Sequence, residues 1–364
     1  MAPSVALSML PGATSTRPGP TVLVLGATGF IGRALVQRLL ADGVSLRALV
    51  RDPSRLVPLQ VDGQIDTQAG AQVEWVRGDL SDPGSVEAAL DGIGQVYHLA
   101  RTAGRNWDEQ LRLDVEPTRR LAELCAERSI TLVYTSSIAI YDGGRRGERV
   151  TESTPPCASA MRLNAYARAK VTIERHLAQL HQQQGLKVVV FRPGIVLGAG
   201  GNPHHPGVGA WPDPSTCRPW GGGHHPLPFV LVTDCAQAMA RALHRPDLAG
   251  ASFNLIGDAQ LTATAYLDTL QAATGKTIAR RPRSAWRLFA QSLVKWLIQW
   301  PPWQGVPAWP SYRYVDGLSC RAVYANDQAK RQLAWVPAFD VEVLKEEGIR
   351  RAVRQTAPGP GAAR

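Results

Sequence analysis

The stretch Thr21-Val22-Leu23-Val24-Leu25-Gly26-Ala27-Thr28-Gly29-Phe30-Ile31-Gly32 decides the fold. Its first five residues form a short apolar run, as in a parallel strand buried on both faces. Beyond the glycines, Ile31–Ala41 has helical spacing, with Leu35, Leu39 and Leu40 on one face and Gly43 as its stop. A buried strand that turns through glycines into a helix is the opening of a dinucleotide-binding βα unit. Gly26 permits the tight turn, Gly29 lets a pyrophosphate approach the backbone, and Gly32 lets helix and strand pack closely. The helix N-terminus presents free N–H groups and partial positive charge to phosphates. Gly26, Thr28, Gly29, Phe30, Ile31 and Gly32 are therefore the first expected cofactor-binding residues.

Outward from there, strand and helix alternate. Strands are expected at Ser45–Val50, Val73–Val76, Gln95–Ala100, Thr131–Thr135, Lys187–Phe191, Phe229–Val232 and Ser252–Ile256. Helices are expected at Asp82–Leu90, Asp108–Arg128 (despite Pro117), Ala165–Gln184, Asp234–His244, Thr262–Thr274, Asp327–Leu333 and Val341–Arg354. This rhythm predicts an α/β fold: a doubly wound parallel sheet (Rossmann) with a smaller C-terminal substrate lobe. Residues 21–198 and 228–256 would form the dinucleotide-binding part, and 199–227 with 257–354 the substrate lobe. Residues 1–20 read as a disordered leader and 355–364 as a disordered tail.

The second strand ends Val50-Arg51-Asp52, where a carboxylate suits the ribose of NAD and an arginine the 2′-phosphate of NADP. Arg51, with Arg47 and Arg55 near it, tilts the expectation toward NADP(H), while Asp52 keeps NAD open. Tyr166 and Lys170 stand four residues apart in a predicted helix, so both lie on one face. An ammonium near a phenol favours the phenolate. Tyr166 is then suited to give or take a proton at a carbinol oxygen while hydride moves at a nicotinamide. Ser137, at the end of the fifth strand, would donate a hydrogen bond to the same oxygen. Ser137, Tyr166 and Lys170 are the expected catalytic set.

Together the chain resembles the extended short-chain dehydrogenase/reductase family, the NAD-dependent epimerase/dehydratase group. The matching pieces are Gly26–Gly32, Gly78–Leu80 (GDL), Tyr97–Ala100 (YHLA), Tyr134–Gly143 (YTSSIAIYDG), Tyr166–Lys170 (YARAK), Phe191–Gly198 (FRPGIVLG), Pro228–Leu243 and Leu333–Pro337 (LAWVP). The resemblance implies that Asp79 and Leu80 lie against the adenine, that Leu99 and Ala100 line the cofactor, and that Pro193 flanks the nicotinamide. It also gives Ser137, four before Tyr141, as the family's active-site Ser or Thr. Two departures matter. The family's Asn-x-x-Gly-Thr reads Asp114-Val115-Glu116-Pro117-Thr118 here, so hydrogen bonding from that helix to the fourth strand is not expected to follow the family pattern. Dehydratases carry Asp-Glu after the active Ser or Thr; Ile138 and Ala139 stand there instead, so dehydration is not expected. Hydride transfer at a secondary alcohol or ketone remains. It would run as a nucleotide-sugar epimerase, favoured by Arg218 as a diphosphate ligand, or as an NADPH-dependent reductase or 3β-hydroxysteroid-dehydrogenase-like enzyme on an apolar substrate. A non-catalytic cofactor-binding regulator is the third reading.

The chain has 364 residues, 45% of them hydrophobic, enough for a sizeable core. Its net charge of +10 suits anionic small molecules, but no basic run carries interleaved aromatics, so nucleic acid is not an expected partner. Five dispersed cysteines, with no C-x-x-C pair, point to a reducing cytoplasm. His204-His205 and His224-His225 resemble metal ligands, but they sit in a Gly/Pro loop with few carboxylates, so no metal is expected. Trp286, Phe289, Leu293, Trp296, Leu297 and Trp300 fall at helical spacing among Arg287 and Lys295. Residues 285–303 read either as a lobe helix or as a peripheral membrane contact. A homodimer is also open.

Overall fold

The computed structural model describes residues 21–52, 60–61, 64–65, 73–101, 104, 106–141, 147–157, 164–282, 285–298 and 322–356. The expected leader 1–20, Arg55, Trp300, Trp303, Trp309, Cys320 and tail residues 357–364 lie outside them.

Seven parallel strands form the central sheet: β1 Val22–Leu25, β2 Leu46–Val50, β3 Val73–Arg77, β4 Gln95–His98, β5 Thr131–Thr135, β6 Val188–Pro193 and β7 Ser252–Leu255. Their spatial order is β3-β2-β1-β4-β5-β6-β7. The order reverses beside β1: the helix that joins β1 to β2 packs on one face of the sheet and the helix that leads into β4 on the other. That opens a crevice at the carboxyl ends of the strands.

The apolar runs are buried on both sides, as their composition requires. Val22 and Val24 join one core layer with Leu35 and Leu39 of α1 (Phe30–Ala41). Leu23 and Leu25 join the opposite layer with Val86 of α2 (Pro83–Ala89) and with Leu121 and Cys125. Each fully buried Leu or Val contributes roughly 1.5–3 kcal/mol. The first layer continues into α6 (Val232–Ala240), whose Ala236, Ala238 and Met239 pack in the same cluster as α1. The second continues into α5 (Ala165–Gln184) through Ala169, Ile173 and Leu177.

The helix expected at Asp108–Arg128 divides. A short α3 (Trp107–Gln110) leads into a wide π turn, Leu111–Val115, and then α4 (Glu116–Glu127). Pro117 lacks an N–H, and the wide turn immediately before it spares the helix that missing bond. The helix expected at Asp234–His244 starts earlier, at Val232, and ends at Ala240. His244, at φ 52°, lies in the left-handed region that ordinary helix excludes. The strand expected to run to Ala100 stops at His98, which frees Leu99 and Ala100 to line the crevice.

Past β6, the short strands Ile195–Leu197 and Phe229–Leu231 pair in parallel. With Tyr266 and Leu270 of α7 (Ala263–Thr274), they build a second, smaller core. Trp335 is fully buried in the main core, and its indole N–H donates to the Asp234 carbonyl at 2.9 Å. This closes the C-terminal LAWVP segment onto the start of α6. The Trp-rich segment contains α8, Ala285–Ile298, which buries Trp296.

Candidate active site

All seven strands are parallel, so β1, β4, β5 and β6 bring Gly26, Leu99, Ser137 and Pro193 to one edge of the sheet. Gly26 sits at φ 88°, and a Cβ there would lie 2.6 Å from the Ala100 nitrogen. A Cβ on Gly32 would stand 2.0 Å from the Gly26 carbonyl oxygen. The turn is closed by Gly29 N–H donating to that same oxygen at 2.9 Å. Gly29 is the N-cap of α1, with no side-chain cap and no acidic residue in the first turn. The first-turn N–H groups thus have no side-chain acceptor, while Thr28 and Gly29 are exposed and Phe30 and Ile31 half-buried. Free N–H groups at the positive end of the helix dipole make a site suited to an anion. The residues present therefore fit a dinucleotide pyrophosphate.

Arg51 and Asp52 are exposed at the end of β2. Asp79 accepts from the Ser81 N–H at 2.8 Å and hydroxyl at 2.7 Å. These two bonds, with a smaller contribution from Arg51, hold its carboxyl below the ordinary range. Leu80 and Ala100 pack partly buried on one core layer and Leu99 on the other, while Pro193 is buried at the end of β6.

Asn164 caps α5, its side chain accepting from the Ala167 N–H at 2.8 Å. This fixes the first turn, and Tyr166 and Lys170 project one turn apart. Lys170 is 3% exposed, and its Nζ donates to the Tyr134 hydroxyl at 2.9 Å and the Thr135 carbonyl at 3.2 Å. The same Nζ lies 6.0 Å from the centre of the half-buried Tyr166 ring. Ser137, two residues beyond Thr135, caps the short turn Ile138–Ile140, its Oγ accepting from the Ala139 N–H at 3.2 Å. The Arg101 guanidinium lies over the Tyr166 ring, 4.5 Å from its centre. A continuous path thus runs from the glycine cradle through Ala100 and Arg101 to Tyr166.

Sequence reasoning missed several of these groups. Tyr134 reads as one more apolar residue of a buried strand, yet its hydroxyl fixes Lys170. Arg101 follows the YHLA strand end at the carboxyl edge of the sheet, which was the available signal. Thr118 supplies the link between α4 and β4 that the altered Asn-x-x-Gly-Thr motif left open. It donates to the Asp114 carbonyl at 2.6 Å, so its oxygen accepts from His98 Nε2 at 2.9 Å. His98 Nδ1 is then an unprotonated, buried nitrogen without a partner among the described residues. Burial, and next the charge of Lys170, push the ring down to about 3. Behind the site, Arg192 and Glu174 form a buried ion pair at 2.7 Å, and Arg192 also donates to the Tyr141 hydroxyl at 2.9 Å. His204 stacks edge-on against Trp211, and among the described residues no three His, Cys, Asp or Glu side chains are placed to hold a metal.

The chain matches the NAD dependent epimerase/dehydratase family over residues 22–255. It belongs to that family. A 2-alkyl-3-oxoalkanoate reductase of Shewanella oneidensis is 31% identical over 190 residues, half of this chain and 46% of that one. An uncharacterized UDP-glucose epimerase of Bacillus subtilis is 24% identical over 73% of this chain and 88% of its own length. The chain spans about half the length of the curated relatives that it matches at 31% identity. The solved UDP-glucuronic acid 4-epimerase of Bacillus cereus, in complex with UDP-glucuronic acid and NAD, superposes with a TM-score of 0.65 at 19% identity. The superposition covers 92% of this chain and 99% of the epimerase, and it shows the shared fold.

Proposed function

We propose that the protein is an NAD(P)-dependent oxidoreductase that works at a secondary alcohol or ketone, with Ser137, Tyr166 and Lys170 as its catalytic set. The observation that carries this is the buried Lys170 ammonium, fixed by Tyr134 and Thr135 one helical turn from Tyr166, at the edge that also holds the glycine cradle. Bound nicotinamide dinucleotide would accept or supply the hydride. Tyr166 would take or return the hydroxyl proton, Ser137 would hold the same oxygen, and Lys170 would stabilise the phenolate and reach the nicotinamide ribose. Leu99, Ala100 and Pro193 would line the cofactor, with Asp79 and Leu80 at its adenine. The lobe built from 199–227 and 257–354 would cover the substrate.

Reductase chemistry is favoured by the two curated relatives at 31% identity, both of which carry reductase names. The name of the Shewanella protein specifies a ketone with a carboxylate two carbons away. A nucleotide-sugar substrate is favoured by Arg218, whose Nε is buried without a partner among the described residues. Absorbance of the freshly purified protein separates the two. Tightly held dinucleotide marks an epimerase, which returns the hydride in place. An empty site that fills with NADPH marks a reductase. Arg51 supports a preference for NADP(H), so Arg51→Ala should narrow the ratio of NADPH to NADH affinity.

A cytoplasmic location is part of this reading, supported by four buried cysteines with no disulfide among the described residues. So is contact of α8 with an anionic lipid surface. The helix buries Trp296 on one side while Trp286, Val294, Leu297 and Ile298 remain exposed on the other. From Thr269 to Val315 the sequence holds seven basic residues and no acidic one, which complements anionic headgroups. Among the described residues no helix is long and apolar enough to cross a membrane, so the contact would be peripheral.

A further inference from the structure

Three cations lie on α5 or over the Tyr166 ring, and two of them are already committed. Lys170 is buried and bonded to Tyr134 and Thr135. Arg168 lies 3.4 Å above the centre of the Trp107 ring and feels the charge of Asp108. Arg101 is different. It is exposed, its Cζ lies over the Tyr166 ring 4.5 Å from the centre, and no described carboxylate pairs with it. A guanidinium held over an aromatic face by its charge leaves N–H donors for another acceptor. The ring beneath it is the one whose hydroxyl would face the reacting oxygen.

We infer that Arg101 binds a carboxylate on the substrate, two carbons from the reacting carbonyl, so that the natural substrate pair is a 3-oxo acid and its 3-hydroxy acid. This rests on the reading of Tyr166 as proton donor. The spacing limits the choice. The guanidinium lies over the ring that carries the phenol hydroxyl, so a group held by the first and a carbonyl held by the second belong to one short segment of substrate. A planar fork of donors matches a carboxylate in two parallel bonds, which also orients the carbonyl toward the phenol. In the oxidative direction the carbinol C–H leaves as hydride to NADP⁺, the O–H proton passes to Tyr166, and the carboxylate is unchanged.

The test uses the whole protein with NADP⁺ and three stable probes: 3-hydroxydecanoate, its methyl ester, and 2-decanol. Arg101→Gln should lower kcat/KM for 3-hydroxydecanoate by about a hundredfold, the loss of two bonds to a charged group. It should act mainly through KM, and leave the ester and 2-decanol within threefold. Arg101→Lys should recover part of the loss. Equal losses on all three probes would make Arg101 a structural residue and overturn the inference, as would weakened NADPH binding by Arg101→Gln. Tyr166→Phe keeps the two ideas apart. Its failure to reduce turnover of any probe sinks the proton-donor reading. Abolished turnover in Tyr166→Phe, combined with an unaltered Arg101→Gln enzyme, sinks only the carboxylate assignment.

Discussion

Substituting Gly32 by alanine tests the cofactor cradle at its tightest point. The new Cβ would stand 2.0 Å from the Gly26 carbonyl oxygen and 2.9 Å from its carbon. Both atoms are main chain, so no rotamer change relieves the overlap. Bringing the closest contact out to about 3 Å opens the β1–α1 turn by about 1 Å, far outside the well of a non-bonded pair. Hydrogen bonds from that turn to a pyrophosphate are near 2.9 Å when well made, and they do not survive such a displacement. Losing two bonds to a charged group at roughly 1.5 kcal/mol each amounts to about 3 kcal/mol, somewhat over a hundredfold in Kd. The fold itself should lose about 1–3 kcal/mol from overpacking. Gly43→Ala is the control. It sits at φ 77° with nothing within 4 Å, so it carries backbone strain of about 1–2 kcal/mol and no clash. Fluorescence titration with NADPH and NADH, alongside denaturant unfolding of each variant, separates binding from stability. A folded Gly32→Ala protein that binds either dinucleotide within threefold of wild type refutes the assignment of this turn. So does a Gly43→Ala protein that loses binding equally.

Glu174→Ala should cost about 3–5 kcal/mol in unfolding free energy, because it leaves the buried Arg192 charge without its carboxylate; a loss below 1 kcal/mol in denaturant titration would contradict this. Acid should destabilise the fold through His98. Its folded value is about 3 and its ordinary value 6.5, so the unfolded chain binds a proton that the folded chain refuses. Stability therefore falls as pH drops below 6.5, by roughly 3 kcal/mol at pH 4 from this group. His98→Asn should show a shallower fall between pH 7 and pH 4, and an equal slope would remove His98 as the cause. The protein should sediment with phosphatidylglycerol-containing vesicles and not with pure phosphatidylcholine, and a Trp286→Glu/Leu297→Glu variant should lose this. No sedimentation, or self-association through the same face in its place, would remove the lipid contact.

The first βα unit was legible because its signals are local. An apolar pentapeptide, glycines at turn positions and a 3.6-residue period each act within a few residues, and one register satisfies them all. Tyr166 and Lys170 were legible for the same reason: helical spacing alone places them on one face. The boundaries that shifted did so where tertiary or backbone constraints took over, as at Pro117, where the chain adopts a wide turn, and at His244, where a left-handed residue follows the end of the helix.

What only the tertiary structure decided is which distant residues meet. The Tyr134 hydroxyl reaches Lys170 across 36 residues of sequence, and the Thr118 hydroxyl takes its place beside His98. The Arg101 guanidinium settles on the Tyr166 ring. None of these pairings has a sequence period, because each depends on how β4 and β5 abut and how α4 and α5 lie across them. Local patterning selects the elements and the sheet type. The position of a charge relative to a phenol is set by packing between elements, and that position determines which substrate the site would hold.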